Sequence, residues 1–337
     1  MKVKKILATL MLTITIIGGG AFGSITPAFA ATNYYVSTSG SDSNSGISSS
    51  SPFKTLAKAI SSASSGSTIY VASGTYNVTS TIKLSKSNSS GSPIKIVAQS
   101  GEPVIDFSGQ SYSDSNRGFQ ISGSYYTIQN LKIVGAGDNG IYITGDHNTV
   151  KSCDITKCRD TGLQISNGGS NTYVYDVNST YNYDPKTSGE NADGFAAKLS
   201  IGTGNVFEKC NADYNSDDGF DLYDAGNIVK FYNCEASHNG VDEGNGNGFK
   251  VGGNYSADNH YLENCTSTAN KLRGFDQNNN TGALTLINCT GDGNYSNFYF
   301  KTAPKSGKHV FTGCISKNGK DKDYITGATV TNCSFNQ

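Results

Sequence analysis

Residues 210–222 read CNADYNSDDGFDL, and residues 265–277 read CTSTANKLRGFDQ. In both stretches an Asn stands five positions after the Cys, and a Gly-Phe pair follows. A Gly followed by an apolar residue recurs at Gly140, Gly162, Gly194, Gly219, Gly248 and Gly274. The steps between these glycines are 22, 32, 25, 29 and 26 residues. Self-similarity at such a period predicts a solenoid in which each repeat forms one coil.

The pattern inside each repeat is that of a short strand. Phe220 and Leu222 alternate with polar residues, as do Phe249 and Val251, which is the period of a strand with one buried face. The 337 residues include 40 Gly but only 16% charged residues, a composition that excludes helical bundles and coiled coils. We therefore predict an all-β protein, a single-stranded parallel β-helix with insertions in its turns.

Seven of the eight cysteines follow the same repeat as the glycines, and Cys158 occupies the position of the repeating Asn, five residues after Cys153. Disulfides would be ordinary in a secreted chain with this many cysteines. Parallel stacking, however, points the Cβ atoms of neighbouring coils in the same direction, which is poor geometry for a disulfide. We expect a column of buried free thiols, with a single bridge as the alternative, and an amide ladder from the Asn column. That column comprises Asn215, Asn239, Asn270 and Asn294.

One segment has the pattern of an amphipathic helix. Residues 52–62 (PFKTLAKAISS) place Phe53, Leu56, Ala57 and Ile60 on one face. A solenoid needs a cap where its end coil would expose the core. We predict that this short helix caps the N-terminal end of a single β-helix catalytic domain spanning residues 31–337.

Residues 1–30 have the features of a secretory signal peptide. A lysine-rich start precedes an apolar stretch from Ile6 to Ile17, and residues 28–30 (AFA) form a small-x-small cleavage site. The apolar stretch is too short to span a bilayer. Cleavage would remove three lysines and change the formal charge from −1 to −4. We therefore expect a secreted, extracellular monomer with neither a nucleic-acid partner nor a membrane anchor.

Aligning the repeats on Gly places polar residues in columns on the outer face of one sheet. Adjacent members of a column lie about 4.8 Å apart. Asp193 and Asp218 precede Gly in successive coils, Asp221 follows it by two positions, and Asp217 adjoins Asp218. Four carboxylates converging from two coils would raise one another's pKa values, which a bound cation relieves. Because oxygen-only ligands favour Ca²⁺, these aspartates predict a calcium site.

Lys250 occupies the column of Asp221, one coil further on, and is the candidate general base. It lies in the segment GNGFKVGG (residues 246–253), where small residues leave room for a ligand. A bound dication and the nearby Arg273 are expected to lower the pKa of Lys250, as a general base requires.

Three segments of this face resemble polysaccharide lyase family 9: NADGFAAKL (191–199), NSDDGFDL (215–222) and GNGFK (246–250). The resemblance extends to residues 34–37 and 52–55 and covers nearly the whole chain after residue 30. It implies a right-handed parallel β-helix and a secreted pectate lyase. In that family the aspartates bind Ca²⁺ and the lysine is the catalytic base. These roles carry over to Asp193, Asp217, Asp218, Asp221 and Lys250. The implied substrate is de-esterified polygalacturonate, an acidic polysaccharide cleaved by Ca²⁺-assisted β-elimination to 4,5-unsaturated ends.

Three more residues of this face are expected to contact the substrate. Arg273 is suited to grip a carboxylate through two hydrogen bonds, although an ion pair with Asp276 is the alternative. Lys198 lies on the far side of the Asp217-Asp218 coil from Lys250, where substrate binding suits it better than catalysis. Tyr223 shares its column and offers a ring for sugar stacking.

Three other functions remain open from the residues alone. A polygalacturonase would share the β-helix and an Asp pair, but the Gly-His-Gly and Arg-Ile-Lys motifs of that family are absent from the sequence. A rhamnogalacturonan I lyase would use the same Ca²⁺ and Lys chemistry. In a non-catalytic β-helix adhesin or wall-binding module, Lys250 would be incidental. Calcium dependence and the formation of unsaturated product on each polymer separate these functions.

Overall fold

The chain winds into coils that each contribute short strands to three parallel sheets. The computed structural model describes residues 31–336. Consecutive strands within a sheet come from consecutive coils, and every named strand pair is parallel and in register. The first sheet has twelve strands, and the second and third have ten each. The parallel β-helix expected from the repeat is confirmed.

The strand bounds follow the sequence repeat in all three sheets. The first sheet comprises Tyr34–Val36, Thr68–Val71, Ile94–Ala98, Tyr126–Gln129, Thr149–Lys151, Tyr173–Tyr175, Asn205–Glu208, Val229–Tyr232, Tyr261–Glu263, Thr285–Ile287, His309–Thr312 and Ala328–Thr331. The second comprises Thr75–Asn77, Val104–Asp106, Lys132–Val134, Asp154–Thr156, Asn178–Thr180, Asn211–Asp213, Glu235–Ser237, Thr266–Thr268, Thr290–Asp292 and Ile315–Lys317. The third comprises Ile82–Leu84, Phe119–Ile121, Ile141–Ile143, Leu163–Ile165, Phe195–Ala197, Phe220–Asp221, Phe249–Lys250, Arg273–Asp276, Ser296–Phe300 and Tyr324–Ile325.

Phenylalanines from successive strands of the third sheet stack inside the solenoid. The rings of Phe195, Phe220, Phe249, Phe275 and Phe298 are separated by 4.9, 4.6, 5.1 and 5.0 Å in turn, each nearly parallel to the next. All five are buried, so the Phe column points inward as expected. Residues adjacent to them on each strand therefore leave the sheet on its outer face.

The cysteine column lies at the corner between the first and second sheets. Seven of the eight cysteines are buried, Cys333 is half-buried, and all eight are free. The expected column of free thiols is confirmed. Burial raises the pKa of Cys153 to about 12, so this thiol stays protonated and unreactive at neutral pH.

The asparagine column forms a ladder in the turn between the second and third sheets. Each Nδ2 donates to the Oδ1 of the next asparagine at 2.8–3.0 Å. The ladder runs through Asn182, Asn215, Asn239, Asn270 and Asn294. The same Oδ1 also accepts a backbone N–H, as from Asn215 N to Asn239 at 3.1 Å. The predicted ladder is therefore present, and it satisfies turn amides that the fold buries.

The capping helix is shorter than the sequence pattern predicts. It spans Leu56–Ser62, and Thr55 is the N-cap whose hydroxyl accepts from Lys58 N at 3.2 Å. Phe53 stays extended because its N–H and C=O bond to Tyr35 O and Ser37 N. With this later start the buried face consists of Leu56 and Ala59, while Ala57 is exposed. The helix contacts the first two strands of the first sheet, in agreement with a capping role.

The predicted signal peptide, residues 1–30, lies outside the described residues. Its cleavage site and the domain boundary at residue 31 stay predictions. In the described part of the chain, no helix is long and apolar enough to cross a membrane.

Substituting one rung of the asparagine ladder tests its energetic role. Asn239→Ala leaves the Asn215 amide and the Ala212 carbonyl without their buried partner. We expect the free energy of unfolding to fall by about 2–4 kcal/mol, since each unsatisfied buried group costs about 1–3 kcal/mol. Urea denaturation measures the change. Asn178→Ala, at an exposed position of the second sheet, is the control and should stay within about 0.5 kcal/mol of wild type.

Candidate active site

One row of side chains runs along the outer face of the third sheet. The strand register pairs Ala196 with Asp221, Asp221 with Lys250, Lys250 with Asp276, and Asp276 with Tyr299. The column read from the sequence is therefore confirmed. Although these residues point to the outer face of the sheet, Asp221 is buried and Lys250 is half-buried.

Two long turns beside this row account for that burial. Between the second and third sheets the chain uses six residues in the coil of Asp218 (214–219). It uses 14 before Phe195 (181–194) and 11 before Phe249 (238–248). These insertions produce the 32- and 29-residue steps of the glycine repeat. Lys271 Nζ fixes the second turn by donating to Asp242 O and Gly244 O at 2.8 and 3.0 Å. The site therefore lies in a groove whose wall is made of irregular turns.

Three carboxylates meet at the floor of this groove. Asp193, Asp218 and Asp221 each offer a carboxylate oxygen, and these atoms all lie within 4.8 Å of one another. All three side chains are buried. We call these residues the acidic triad.

Asp217 is not part of the triad, although it lies close enough to raise the pKa values of Asp193 and Asp218, and its role as a fourth cation ligand stays a prediction. Its Oδ2 accepts a hydrogen bond from Asn191 N at 3.0 Å, and its Oδ1 accepts from Asn245 N at 2.7 Å. Each bond ties one of the two long turns to the coil of Asp217. The sequence showed the carboxylate but not that the inserted turns would supply donors to it.

Asn247 Oδ1, a buried oxygen in the triad region, has no hydrogen-bond donor within the described residues. Asp218 Oδ2, also buried, has only the Lys250 ammonium beside it, at 3.1 Å. Asn247 holds the other Asp218 oxygen, Oδ1, through its backbone N–H at 2.7 Å and its Nδ2 at 2.8 Å. Buried oxygens normally have a partner, and carboxylate and amide oxygens are the ligands that Ca²⁺ takes. The donor set fits such a cation.

Two lysines neutralise the triad from opposite sides. Lys198 Nζ lies 2.8 Å from Asp193 Oδ2 and 3.1 Å from Asp221 Oδ2. Lys250 Nζ lies 3.1 Å from Asp218 Oδ2 and 3.5 Å from Asp221 Oδ1. The side chain of Lys198 is only 11% exposed and points into the triad, and the substrate contact expected of it from the sequence stays a prediction.

The charges of this cluster shift its pKa values in opposite directions. Burial raises the pKa of Asp218 to about 7 despite the opposing effect of Lys250. The pKa of Asp221 is lowered, because Lys250 and Lys198 together outweigh its burial. Burial alone would lower the pKa of Lys250, but Asp221 and Asp218 outweigh burial and raise it above its ordinary value. The protein without a cation therefore holds Lys250 as ammonium, and the lowering of its pKa by a bound dication stays a prediction.

Arg273 forms the ion pair that the sequence left as the alternative. Its Nη1 lies 2.7 Å from Asp276 Oδ2, and its guanidinium lies 3.4 Å from the centroid of the Tyr299 ring. Its effect on the pKa of Lys250 stays a prediction. Its contact with substrate stays a prediction.

Tyr223 lies at the exposed edge of the groove, one coil before Lys250. Its ring packs over Gly253, where a Cβ would come within 2.3 Å of it and where φ is +151°. The ring is 40% exposed, so one face remains open to a ligand. Position 253 therefore requires glycine for two reasons: a Cβ would clash with the Tyr223 ring, and the positive φ is unfavourable for other residues.

Sequence reasoning missed two residues that position the triad. Thr161 Oγ1 donates to Asp193 Oδ2 at 3.1 Å, and Asn247 orients Asp218 as described above. Both stand immediately before the repeating Gly, in the column that also holds Asp193 and Asp218. Their position in this column is the sequence feature from which contact with the triad could have been predicted. Asp242 and Glu243 are exposed in the second long turn.

Comparison with known proteins places this fold and site in a family. Residues 34–320 match the family model described as Pel9A-like, right handed beta helix region. Pectate lyase L of Dickeya chrysanthemi is 40% identical over 303 residues, which cover 85% of this chain and 71% of that protein. Pectate lyase L of Paenibacillus polymyxa is 38% identical, over 82% of this chain and 66% of that protein.

Two solved structures agree with this assignment. The crystal structure of pectate lyase Pel9A has a TM-score of 0.81 at 36% identity, covering 91% of this chain and 79% of that one. A rhamnogalacturonan lyase has a TM-score of 0.81 at 26% identity, covering 90% of this chain and 87% of that one. Fold and relatives together define a polysaccharide lyase on a right-handed parallel β-helix. The chain belongs to the Pel9A-like β-helix family.

Removing the Asp217 carboxylate tests its role in holding the two long turns. In Ca²⁺-free buffer we expect Asp217→Ala to lower the free energy of unfolding by about 1–3 kcal/mol. Two backbone amides lose a charged acceptor, and relief of repulsion from the triad offsets part of that loss. Chemical denaturation measures the change. Asp242→Ala is the matched control, because it removes an exposed carboxylate from the second long turn (238–248). An equal loss of stability in both variants would contradict the role of Asp217.

Proposed function

We propose that this protein is a secreted pectate lyase that cleaves de-esterified polygalacturonate by β-elimination and leaves 4,5-unsaturated oligogalacturonides. Relatives named as pectate lyases support the substrate class. The observation that carries the proposal is the position of Lys250 Nζ beside Asp218 and Asp221, on the outer row of the third sheet. A base next to a cation site is the arrangement that suits abstraction of a proton alpha to a carboxylate.

Ca²⁺ is the cofactor we propose, held by Asp193, Asp218 and Asp221 with Asp217 as a fourth carboxylate beside them. The support is the donor set, which consists of the three buried carboxylates of the triad and Asn247 Oδ1, a buried oxygen without a donor within the described residues. When bound, Ca²⁺ supplies Lewis acidity toward the carboxylate of the sugar and so makes its C-5 proton more acidic.

Lys250 is the proposed base that takes the proton from C-5. The electron pair of that C–H bond forms the C-4–C-5 double bond as the C-4–O bond breaks, and the departing sugar oxygen takes a proton from water. Asp218 and Asp221 favour the ammonium form, in which Lys250 cannot accept a proton. The raised pKa therefore predicts activity that increases as the pH rises into the alkaline range.

Arg273 and Tyr223 are the proposed substrate contacts, one coil after and one coil before Lys250. Arg273 is held in place by Asp276 and Tyr299 but keeps further N–H groups for a sugar carboxylate. Lys198 was predicted as a third contact. Its two ion pairs support a different role, which is to reduce the negative charge of the triad.

A rhamnogalacturonan I lyase is the second candidate, because a rhamnogalacturonan lyase shares the fold at a TM-score of 0.81. The lower identity of that structure, 26% against 36% for the pectate lyase, favours polygalacturonate. Assaying the absorbance of unsaturated uronide ends on both polymers distinguishes the two. Secretion through residues 1–30 and a monomeric state complete the proposal.

Substitution of Lys250 tests the assignment of the base. Lys250→Ala should lower kcat on polygalacturonate by about 10²–10⁴-fold, the usual contribution of a general base. Lys250→Arg should be almost as inactive, because guanidinium stays protonated at any workable pH. Lys230→Ala, exposed on the first sheet, is the control and should match wild type. If Lys250→Ala keeps more than about a tenth of the wild-type kcat, another residue is the base.

Thermal unfolding tests the calcium site without reference to activity. A ligand present at 100 times its Kd stabilises the native state by about 2.7 kcal/mol, so Ca²⁺ should raise the Tm of the wild type. Asp218→Asn should abolish this increase, whereas Asp242→Asn, an exposed substitution in the adjacent turn, should retain it. An unchanged Tm in wild type on adding Ca²⁺, or activity that persists in EDTA as in a hydrolase, would contradict the proposal.

A further inference from the structure

The coils on the two sides of the triad carry different sets of charged residues. In the two coils before Asp193, Asp138 and Asp160 are balanced by Arg117, which lies 3.1 Å from Asp138, and by Arg159. The coils after Lys250 carry Arg273 and Lys301. These cations can attract a polyanion to the C-terminal end.

The C-terminal end is built from three cations and two aromatic rings, since Lys322 also lies over Tyr324, 5.1 Å from its ring centroid. We call Arg273, Tyr299, Lys301 and Tyr324 the basic-aromatic patch. The Lys301 ammonium lies 4.6 Å from the centroid of Tyr299 and 4.4 Å from that of Tyr324, and the two rings meet edge to face at 5.2 Å. Arg273 stacks on the other side of Tyr299 at 3.4 Å. The patch is therefore one continuous surface.

This patch continues the row that contains Lys250. The register runs from Lys250 to Asp276, then to Tyr299 and Tyr324. At about 4.8 Å per strand, Tyr299 lies roughly 10 Å and Tyr324 roughly 14 Å from the proposed base along the sheet. A hexuronate unit is about as long as one strand spacing, so the patch lies two to three sugar units from the reacting one.

The charge of Lys301 has no counterpart in the described structure. Lys301 is exposed and forms no ion pair with the described residues, whereas the carboxylate of Asp276 is occupied by Arg273. The nearby Asp321 accepts the Lys322 amide at 2.9 Å, and Asp323 is buried and accepts the Phe298 amide at 2.9 Å. Arg273, Tyr299 and Lys301 also line a concave space of about 290 Å³. Lys301 can thus pair with the carboxylate of a sugar bound in this concave space, and the two tyrosine rings can pack against that sugar.

We propose that the basic-aromatic patch is a distal subsite that binds uronate units of the same chain whose bond is broken at Lys250. This proposal rests on the proposed function. Lys301 pairs with a sugar carboxylate, Tyr299 and Tyr324 pack against the C–H faces of the rings, and Arg273 offers its remaining N–H groups. The subsite makes the enzyme prefer long chains that extend toward its C-terminal coils.

Oligogalacturonates of increasing length test the subsite. Lys301→Ala and Tyr299→Ala should each lower kcat/KM on polygalacturonate by about tenfold, through KM, with kcat nearly unchanged. A factor of this size corresponds to one lost charge-assisted or stacking contact. The loss should shrink steadily as the oligomer shortens, and Lys301→Arg should restore most of it. An equal loss at every length, or no loss on the polymer, would overturn the proposal.

The first sheet offers a matched control. Lys209 lies 5.2 Å from the Tyr175 centroid, a similar cation–ring pair on a face away from the groove. Lys209→Ala should leave kcat/KM unchanged at every chain length. If it lowers kcat/KM as much as Lys301→Ala does, the loss comes from the net surface charge of the protein, and the subsite is wrong. Failure of the proposed function is a separate result, because it would appear as no unsaturated product from the wild type on any uronate chain.

Discussion

Parallel, in-register hydrogen bonding between successive coils is the constraint on which the rest of this structure depends. Each strand pairs with the equivalent strand of the next coil, so equivalent residues lie about 4.8 Å apart along the solenoid. Stacked phenylalanine rings at 4.6–5.1 Å and the asparagine ladder are two results of that spacing. Side chains that attract when stacked stabilise the solenoid, and side chains that repel need a compensating partner.

The acidic triad follows from the same constraint. Stacking brings Asp193, Asp218 and Asp221 together in a buried place, where carboxylates alone would be costly. Lys198 and Lys250 supply part of the compensation, and Asn247 Oδ1 still lacks a donor within the described residues. The repulsion that remains among the carboxylates is what a bound cation would relieve, and Lys250 lies beside that place.

Departures from the repeat shape the groove. The two longest steps between glycines are inserted turns that rise beside the third sheet, and Asp217 ties both of them to one coil. Regular strands set the spacing of the side chains in this row, whereas the irregular turns lie beside it and supply hydrogen-bond donors to Asp217.

The sequence alone determined much of the fold and of the site, because residues at equivalent positions of consecutive repeats become neighbours in a solenoid. The coil period, the inward Phe column, the free cysteines, the Asn ladder, and the alignment of Asp221 with Lys250 were all readable in that way. The tertiary structure decided the features that a residue's position in the repeat does not predict. It placed Asp217 under two inserted turns, turned Lys198 into the triad, and paired Arg273 with Asp276. It also started the capping helix at Leu56, because Phe53 forms backbone hydrogen bonds with the first strand. These outcomes depend on side-chain rotamers, turn paths and the balance of nearby charges, which are set by contacts between segments and not by position within the repeat.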